Sequence, residues 1–209
     1  MSDSSRIRIL TVDDHQLIRT GIATLLLAEQ DMELVAEAAN GREAIARFRE
    51  HHPDITLMDL QMPELDGLDA ILAIRSEFPQ ARIIVLTTYA GDVQAQRALK
   101  AGAQGYLLKN SLHKELLQTI RSVHAGRKAM SAELTAQVLA HSGEELLTQR
   151  EIDVLRLIAE GNANKEIAAR LSITEETVKS RVKNILDKLG ANDRTHAVTI
   201  ALKRGFIEL

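Results

Sequence analysis

Three carboxylate residues stand at the ends of two short apolar runs in the first third of the chain. Asp13 and Asp14 follow the run 7–12, and Asp59 closes the run that begins at 55. Runs of this length, followed by polar sequence that can start a helix, are typical of buried parallel strands. Because the carboxyl ends of such strands line one crevice of an open sheet, we expect the three acids to converge there.

A cation must accompany these acids, because three carboxylates in one crevice repel one another. Mg²⁺ is the hard ion that carboxylate oxygens usually bind, and it keeps waters and phosphate oxygens in its shell. Lys109 ends a later apolar run, 106–108, and adds a fixed positive charge at the same edge. Together these groups predict a site that handles a phosphoryl group. A lone Asp at a strand end would more simply cap the next helix, but four charged residues at three strand ends are harder to explain in that way.

The composition excludes several classes of protein. The 209 residues include no cysteine, which excludes a disulfide scaffold, a thiolate metal site and a cysteine nucleophile. Aromatic residues make up only 2% of the chain, which argues against stacking platforms for single-stranded nucleic acid. We expect none of the seven histidines to bind a metal. There is no apolar stretch of about 18 residues and no signal-like start, so we expect a cytoplasmic protein without a membrane partner.

The elements that position the acids belong to a repeating pattern over the first 126 residues. Apolar runs alternate there with amphipathic segments, which predicts five parallel strands with helices on both faces of the sheet. The predicted strands are 7–12, 34–38, 54–59, 83–87 and 105–108, and the predicted helices lie near 16–29, 42–51, 68–76, 92–101 and 112–125.

The rest of the chain differs in pattern and in charge. Residues 146–209 hold 11 Lys and Arg against 9 Asp and Glu, a net charge of +2, so the chain's −3 leaves −5 for residues 1–145. This asymmetry indicates different partners for the two parts. A short linker helix over 131–141 and a polar break at 142–145 place the boundary near residue 146.

Four helices and no strand are predicted beyond residue 148. Thr148 and Glu151 match a capping box, which marks the start of a helix that ends at Glu160. A short helix, a three-residue turn and a longer helix come next, as in a helix-turn-helix. These helices are predicted over 164–171, 175–189 and, last, 194–203.

The third of these helices, 175–189, has two unlike faces. An apolar stripe must pack on the other helices, whereas the opposite face carries polar groups able to reach base edges beside cations able to meet phosphates. A single lysine-rich face is usually just solvated, but in a helix-turn-helix it is the face left uncovered. The stripe comprises Val178, Val182, Ile185, Leu186 and Leu189, and the polar face comprises Glu176, Lys179, Ser180, Lys183, Asn184 and Asp187, with Arg181 and Lys188 at its other flank.

Short motifs in a fixed order complete the pattern. In the first part they are Val12-Asp13-Asp14-His15, Met58-Asp59-Leu60-Gln61-Met62-Pro63, Val85-Leu86-Thr87 and Gly105-Tyr106-Leu107-Leu108-Lys109; in the second, Leu147-Thr148-Gln149-Arg150-Glu151, Asn164-Lys165-Glu166-Ile167-Ala168, Thr177-Val178-Lys179, Asn184-Ile185-Leu186-Asp187-Lys188-Leu189 and Asp193-Arg194-Thr195. With them the chain resembles a two-component response regulator of the NarL/FixJ type along essentially its whole length. This resemblance implies a flavodoxin-like, doubly wound receiver domain over 6–127, a linker with a short helix over 128–145, and an all-α LuxR-type helix-turn-helix domain of four helices over 146–209.

In the receiver part, the resemblance implies a role for each charged residue. Asp59 would accept a phosphoryl group from a phosphohistidine on a sensor histidine kinase. Asp13 and Asp14 would hold Mg²⁺ together with the Asp59 carboxylate and the backbone carbonyl of Gln61. Lys109 would pair with the phosphoryl oxygens.

Two further residues would form a switch in the receiver part. The resemblance implies that Thr87 donates its hydroxyl to the new phosphate and that Tyr106 follows it inward, a two-state element biased by a new charge. Without the resemblance, they would be a β-branched strand end and a half-buried strand aromatic. One departure is Asn110, which follows Lys109 where many receivers have Pro, so the usual cis bond is not expected.

In the second part, the resemblance implies that Lys179, Ser180 and Lys183 meet DNA, with Arg181 and Asn184 beside them. Arg181 departs from the pattern, because many relatives carry His there. The last helix resembles the segment through which two such domains pair on DNA, and the small net charge makes a dimer necessary for useful affinity.

These observations predict a phosphorylation-switched regulator of transcription that is not an enzyme beyond its own phosphoryl transfer and dephosphorylation. Its partners would be the kinase, promoter DNA, a second copy when phosphorylated or on DNA, and RNA polymerase. A phosphohydrolase using Asp59 as nucleophile is an alternative, but it would need a nearby acid/base carboxylate, which Gln61 does not offer, and a substrate cap. A DNA-binding protein whose receiver only dimerises is another, and the complete set of acids, threonine and lysine argues against it.

Overall fold

The computed structural model of the chain describes residues 6–88, 91–140 and 147–207. By internal contacts the chain forms two compact units, residues 1–88 with 95–135 and residues 89–94 with 136–209. The predicted polar break at 142–145 and the boundary near 146 lie outside the described residues. None of the helices in the described part of the chain is long and apolar enough to cross a membrane.

The first unit is built on a parallel five-stranded sheet, as predicted. The strand order is β2-β1-β3-β4-β5, which is the doubly wound order with its reversal point between β1 and β3. The strands are β1 Ile7–Val12, β2 Met32–Ala38, β3 Ile55–Asp59, β4 Ile83–Thr87 and β5 Gly105–Leu108. The helices of the chain up to residue 140 are α1 Gln16–Leu27, α2 Gly41–His51, α3 Gly67–Glu77, α4 Asp92–Ala101, α5 Leu112–His124 and α6 Ala132–Ala140.

The sheet has a helical layer on each face because its strands are apolar on both sides. Alternate strand residues such as Ile9 and Leu57 pack with Ile22 of α1 and Leu116 of α5 in one buried cluster. Helices α2 and α3 contact each other in the other layer. All residues of β3 and β4 are buried, which explains why these strands read as continuous apolar runs.

The chain after α5 attaches to the exposed edge of β5. The backbone N–H of Tyr106 donates to the Ala129 carbonyl at 2.9 Å, and the N–H of Ala129 donates to the Gln104 carbonyl at 2.9 Å. The first residues of the predicted linker therefore pair with the sheet. Directly after β5, Lys109–Ser111 forms a short 3₁₀ turn, and none of the described peptide bonds is cis, as expected from Asn110.

The second unit contains the four helices predicted from the sequence. The helices are α7 Gln149–Ala159, α8 Asn164–Arg170, α9 Glu175–Leu189 and α10 Arg194–Arg204. The capping box is present at α7, where the Thr148 side chain accepts from the Glu151 N–H and Glu151 accepts from the Thr148 N–H. At the start of α9 the Thr174 side chain accepts a hydrogen bond from the Thr177 N–H. Leu155, Ile167, Val178, Ile185 and Ala201 are among the residues of its buried core.

Candidate functional site

The carboxyl ends of β1, β3 and β5 bring two acids and the lysine together. The Lys109 ammonium lies between Asp13 and Asp59, with Nζ 2.7 Å from Asp13 Oδ2 and 2.8 Å from Asp59 Oδ2. Asp13 is completely buried and Asp59 is 2% exposed, while Asp14 remains exposed at the rim. The convergence expected from the three apolar runs is therefore present. We refer to Asp13, Asp14, Asp59 and Lys109 as the acidic pocket.

Burial sets the protonation behaviour of the acidic pocket. Burial raises the pKa of Asp59 above its ordinary value, and the hydrogen bond from Lys109 offsets only part of the increase. Burial alone would lower the pKa of Lys109, but its hydrogen bonds to Asp13 and Asp59 raise it on balance. The lysine thus stays protonated, and its single charge is shared by the two buried carboxylates, Asp13 and Asp59.

His15 joins the acidic pocket, although the spacing of the histidines did not indicate this. Its Nδ1 lies 2.7 Å from Asp14 Oδ1 and 3.4 Å from Asp13 Oδ1. One ligand atom from each of Asp13, Asp14, His15 and Asp59 lies within 4.8 Å of all the others, an arrangement that could hold a metal ion. The signal in the sequence was the position of His15 directly after two adjacent acids.

The donor set of the acidic pocket fits Mg²⁺. Three carboxylates supply the hard oxygen ligands that this ion prefers, and one lysine leaves them with excess negative charge. Gln61, the predicted fourth ligand, lies beside the pocket, since its backbone N–H donates to Asp59 Oδ1 at 3.3 Å. The role of its carbonyl stays a prediction.

A glycine that sequence reasoning missed holds the loop after β3 against the pocket. Gly67 donates its N–H to the Leu60 carbonyl at 2.9 Å. A Cβ built on Gly67 would lie 1.9 Å from the Asp59 carbonyl oxygen, so no side chain fits there. The loop can therefore return over the end of β3 only with glycine at this position.

The two predicted switch residues lie on the neighbouring strands. Thr87 is the last residue of β4 and pairs with Leu108, one residue before Lys109. Tyr106, in the middle of β5, pairs with Val85. Both side chains are buried, so the tyrosine, which would be a half-buried strand aromatic without the resemblance, is enclosed by the protein.

Helix α9 presents its polar face to solvent, as its periodicity predicted. Val178, Ile185 and Leu189 of the apolar stripe are buried, and Val182 and Leu186 are half-buried. The exposed residues of the opposite face include Lys179, Ser180, Lys183 and Asn184, while Arg181 is half-buried. Lys179 lies 3.5 Å from Glu176 and 4.0 Å from Glu175 in ion pairs along the helix.

The position of α9 is set partly by a shielded ion pair that sequence reasoning missed. Lys188 Nζ lies 3.0 Å from Glu151 Oε2, joining the end of α9 to the start of α7. The same Glu151 oxygen accepts the Thr148 N–H at 2.7 Å. Burial would raise the pKa of Glu151, but the hydrogen bonds from Thr148 and Lys188 outweigh it and lower that pKa.

Comparison with known families and proteins covers both parts of the chain. Residues 9–121 match the response regulator receiver domain, and residues 145–201 match the bacterial regulatory proteins of the luxR family. The response regulator protein VraR of Staphylococcus aureus is 39% identical over 207 residues, which is 97% of this chain and 99% of VraR.

Solved structures of similar proteins have the same architecture. The response regulator ChrA of a heme-sensing two-component system is 32% identical, with a TM-score of 0.56 over 97% of this chain and 100% of that one. A complex of the response regulator RcsB with DNA is 25% identical, with a TM-score of 0.69 over 95% of this chain and 99% of that one. The chain therefore belongs to the two-component response regulators of the NarL/FixJ type, in which a receiver domain is followed by a LuxR-type DNA-binding domain.

Proposed function

We propose that Asp59 accepts a phosphoryl group from a phosphohistidine of a sensor histidine kinase. The observation that supports this most directly is the placement of the Lys109 ammonium within 2.8 Å of both Asp13 and Asp59. An Asp59 oxygen would form a bond to phosphorus while the bond from phosphorus to the donor imidazole nitrogen breaks, and the imidazole would keep the electron pair. Lys109 is in place to neutralise charge on the transferred group.

Asp13, Asp14, Asp59 and the Gln61 carbonyl would hold Mg²⁺ in this proposal. The bound ion would supply positive charge to the phosphoryl oxygens. Thr87 would then bind the new phosphate through its hydroxyl, and Tyr106 would report the change to the rest of the domain. The chain would have no other enzymatic activity than its own phosphoryl transfer and dephosphorylation.

The experiment that tests this proposal is phosphorylation of an Asp59→Asn variant. An amide cannot act as the nucleophile, so incorporation of phosphate from acetyl phosphate with Mg²⁺ should be lost, as read by intact mass. Asp69→Asn, an exposed acid of α3, serves as the matched control and should react like the wild type. Phosphorylation of Asp59→Asn at the wild-type rate would show that another residue is the acceptor.

We infer further that the phosphorylated chain binds specific double-stranded promoter DNA as a dimer. The exposed face of α9 supports this, because Ser180 and Asn184 can reach base edges while Lys179, Lys183 and Arg181 can meet phosphates. The RcsB structures supply the analogy, since they contain RcsB dimers bound to DNA. This function requires a cytoplasmic location, because both the promoter DNA and the phosphohistidine of the kinase are reached there.

Selection on random DNA, with and without acetyl phosphate and Mg²⁺, tests the second part. Phosphorylation should increase both the dimer fraction, measured by light scattering, and the affinity for the selected sequence. The Asp59→Asn variant should show neither increase. Equal binding of selected and scrambled DNA in every state would contradict sequence-specific recognition.

A further inference from the structure

Arg19 of α1 contacts the backbone of the acidic pocket, and the proposed function gives it no role. Its Nη1 donates to the Asp13 backbone carbonyl at 2.6 Å, and its Nε donates to Glu37 Oε2 at 3.1 Å. The arginine side chain is only 16% exposed. Arg19 therefore connects three elements, because Asp13 follows β1 and Glu37 belongs to β2.

The Asp13 carbonyl belongs to the peptide that leads into Asp14, so its direction affects both acids. On the other side of the residue, the Asp13 N–H donates to the Ala38 carbonyl at 3.1 Å. The backbone of Asp13 is thus held by β2 through its N–H and by Arg19 through its carbonyl. Rotation of the peptide between the two acids would break the Arg19 hydrogen bond and turn the exposed Asp14 carboxylate away from the pocket.

An arginine paired with a glutamate also suits a position next to a site that binds a cation. A guanidinium carries several donors in one rigid plane, so it can hold a carbonyl and a carboxylate at once, which a lysine cannot do with the same geometry. An uncompensated positive charge so close to the pocket would disfavour a divalent cation. Glu37 provides the compensating charge, and the pair keeps the hydrogen bond to Asp13 without a net charge.

We infer that Arg19, held by Glu37, is a positioning residue that sets the orientation of Asp13 and Asp14 for Mg²⁺. This inference rests on the proposed function, in which those two acids hold the ion. In this inference Arg19 affects how tightly the site binds the metal ion and not the phosphoryl transfer at Asp59. Loss of a group that orients a metal ligand typically weakens metal binding by about 10–100-fold.

The test compares Mg²⁺ affinity, by calorimetry, with the Mg²⁺ dependence of phosphorylation by acetyl phosphate. In Arg19→Gln, the Mg²⁺ dissociation constant and the Mg²⁺ concentration for half-maximal rate should both rise about 10-fold. The maximal rate at saturating Mg²⁺ should stay near that of the wild type. Arg19→Lys should recover part of the affinity, because the charge remains and one of the two hydrogen bonds can form.

Glu37→Gln provides a second variant that keeps the fold and the hydrogen bond but leaves Arg19 uncompensated. Its Mg²⁺ affinity should fall several-fold at low salt and recover at high salt, since the effect is one of charge. The loss in Arg19→Gln should persist at high salt. Arg49→Gln is the matched control, because Arg49 forms an exposed pair with Glu77 in other elements, and it should bind Mg²⁺ like the wild type.

Each outcome separates the inference from the proposed function. Wild-type protein that binds no Mg²⁺ would overturn the proposed function itself. Wild-type protein that binds Mg²⁺ while Arg19→Gln binds it equally well would overturn only the role of Arg19. If Arg19→Gln melts far below the other variants, Glu37→Gln becomes the deciding variant. A Mg²⁺ affinity of Glu37→Gln equal to that of the wild type at low salt would then overturn the inference.

Discussion

Replacement of Lys109 by Met tests the electrostatics of the acidic pocket. Met keeps an unbranched apolar side chain in place of the lysine stem but removes the ammonium that lies between Asp13 and Asp59. Both acids stay buried, and each loses an ion pair shorter than 3 Å. The variant therefore has two carboxylates in a low-dielectric site without a compensating cation.

The expected cost follows from the burial of these groups. Removal of one partner from a buried ion pair typically destabilises a protein by about 3–5 kcal/mol. We expect the lower end, about 3 kcal/mol, because a carboxylate left alone can take up a proton. Domains are usually stable by about 5–15 kcal/mol, so the variant should still fold.

The dependence on pH has a definite sign. Burial raises the pKa of Asp59 in the folded wild type, so the ionised form of Asp59 opposes folding. The contribution of Asp59 to stability is therefore fully present below its pKa in the unfolded chain, and it is lost as pH rises through its pKa in the folded chain. Without Lys109 the pKa of Asp59 should rise further. The deficit of Lys109→Met should therefore be largest near pH 7 and shrink as pH falls towards 5.

Urea unfolding of the full chain without Mg²⁺, at pH 7 and pH 5, measures this effect. Lys109→Met/Asp59→Asn should recover most of the lost stability at pH 7, because one buried charge is removed together with its partner. Lys100→Met, at an exposed position of α4, should stay within about 0.5 kcal/mol of the wild type. If Lys109→Met matched the wild type at pH 7, or the second substitution gave no recovery, Lys109 would not be the cation that compensates these acids.

Three further predictions concern the metal, helix α9 and the ion pair between Glu151 and Lys188. Asp14→Asn should lose far more Mg²⁺ affinity in calorimetry than Glu64→Gln, since only Asp14 lies in the acidic pocket; equal affinities would contradict this. Lys183→Ala should bind DNA more weakly and with a shallower salt dependence, while its stability should change by no more than about 0.5 kcal/mol. Val182→Ala should instead lose about 1 kcal/mol of stability, and its DNA affinity should fall only as a consequence. Wild-type DNA binding by Lys183→Ala would place the DNA-binding surface elsewhere. Glu151→Gln can retain the capping box but not the charged hydrogen bond from Lys188, so it should lose about 2 kcal/mol at pH 7. Because the folded pKa of Glu151 is lowered, that contribution is present above the unfolded pKa and lost as pH falls through the folded one, so the variant and the wild type should converge in acid; a gap independent of pH would refute it.

Local patterns determined most of the elements of this protein. Strands buried on both faces must be apolar throughout, so 83–87 and 105–108 were predicted with the bounds that the structure has. The capping box at Thr148 and the 3.6-residue stripe of α9 are likewise signals within one short segment. The bounds of β1, α4 and α9 were also predicted, whereas β2 and several other elements differ by one or two residues at an end, because helix and strand ends depend on neighbours outside the segment.

The convergence of Asp13, Asp59 and Lys109 followed from the sequence as well, because the carboxyl ends of parallel strands lie at the same edge of a sheet. Contacts made by long side chains across elements did not follow. The Arg19 pair with Glu37 and the Lys188 pair with Glu151 each depend on where a second element lies.

The physical reason is one of range. Hydrophobic period and capping act over a few residues and can be read along the chain, so they determined the elements and the edge of the sheet at which the acids stand. The order β2-β1-β3 brings Glu37 beside the end of β1 through residues far apart in sequence. Which atoms then meet is decided by strand pairing and packing, and only the tertiary structure contains that information.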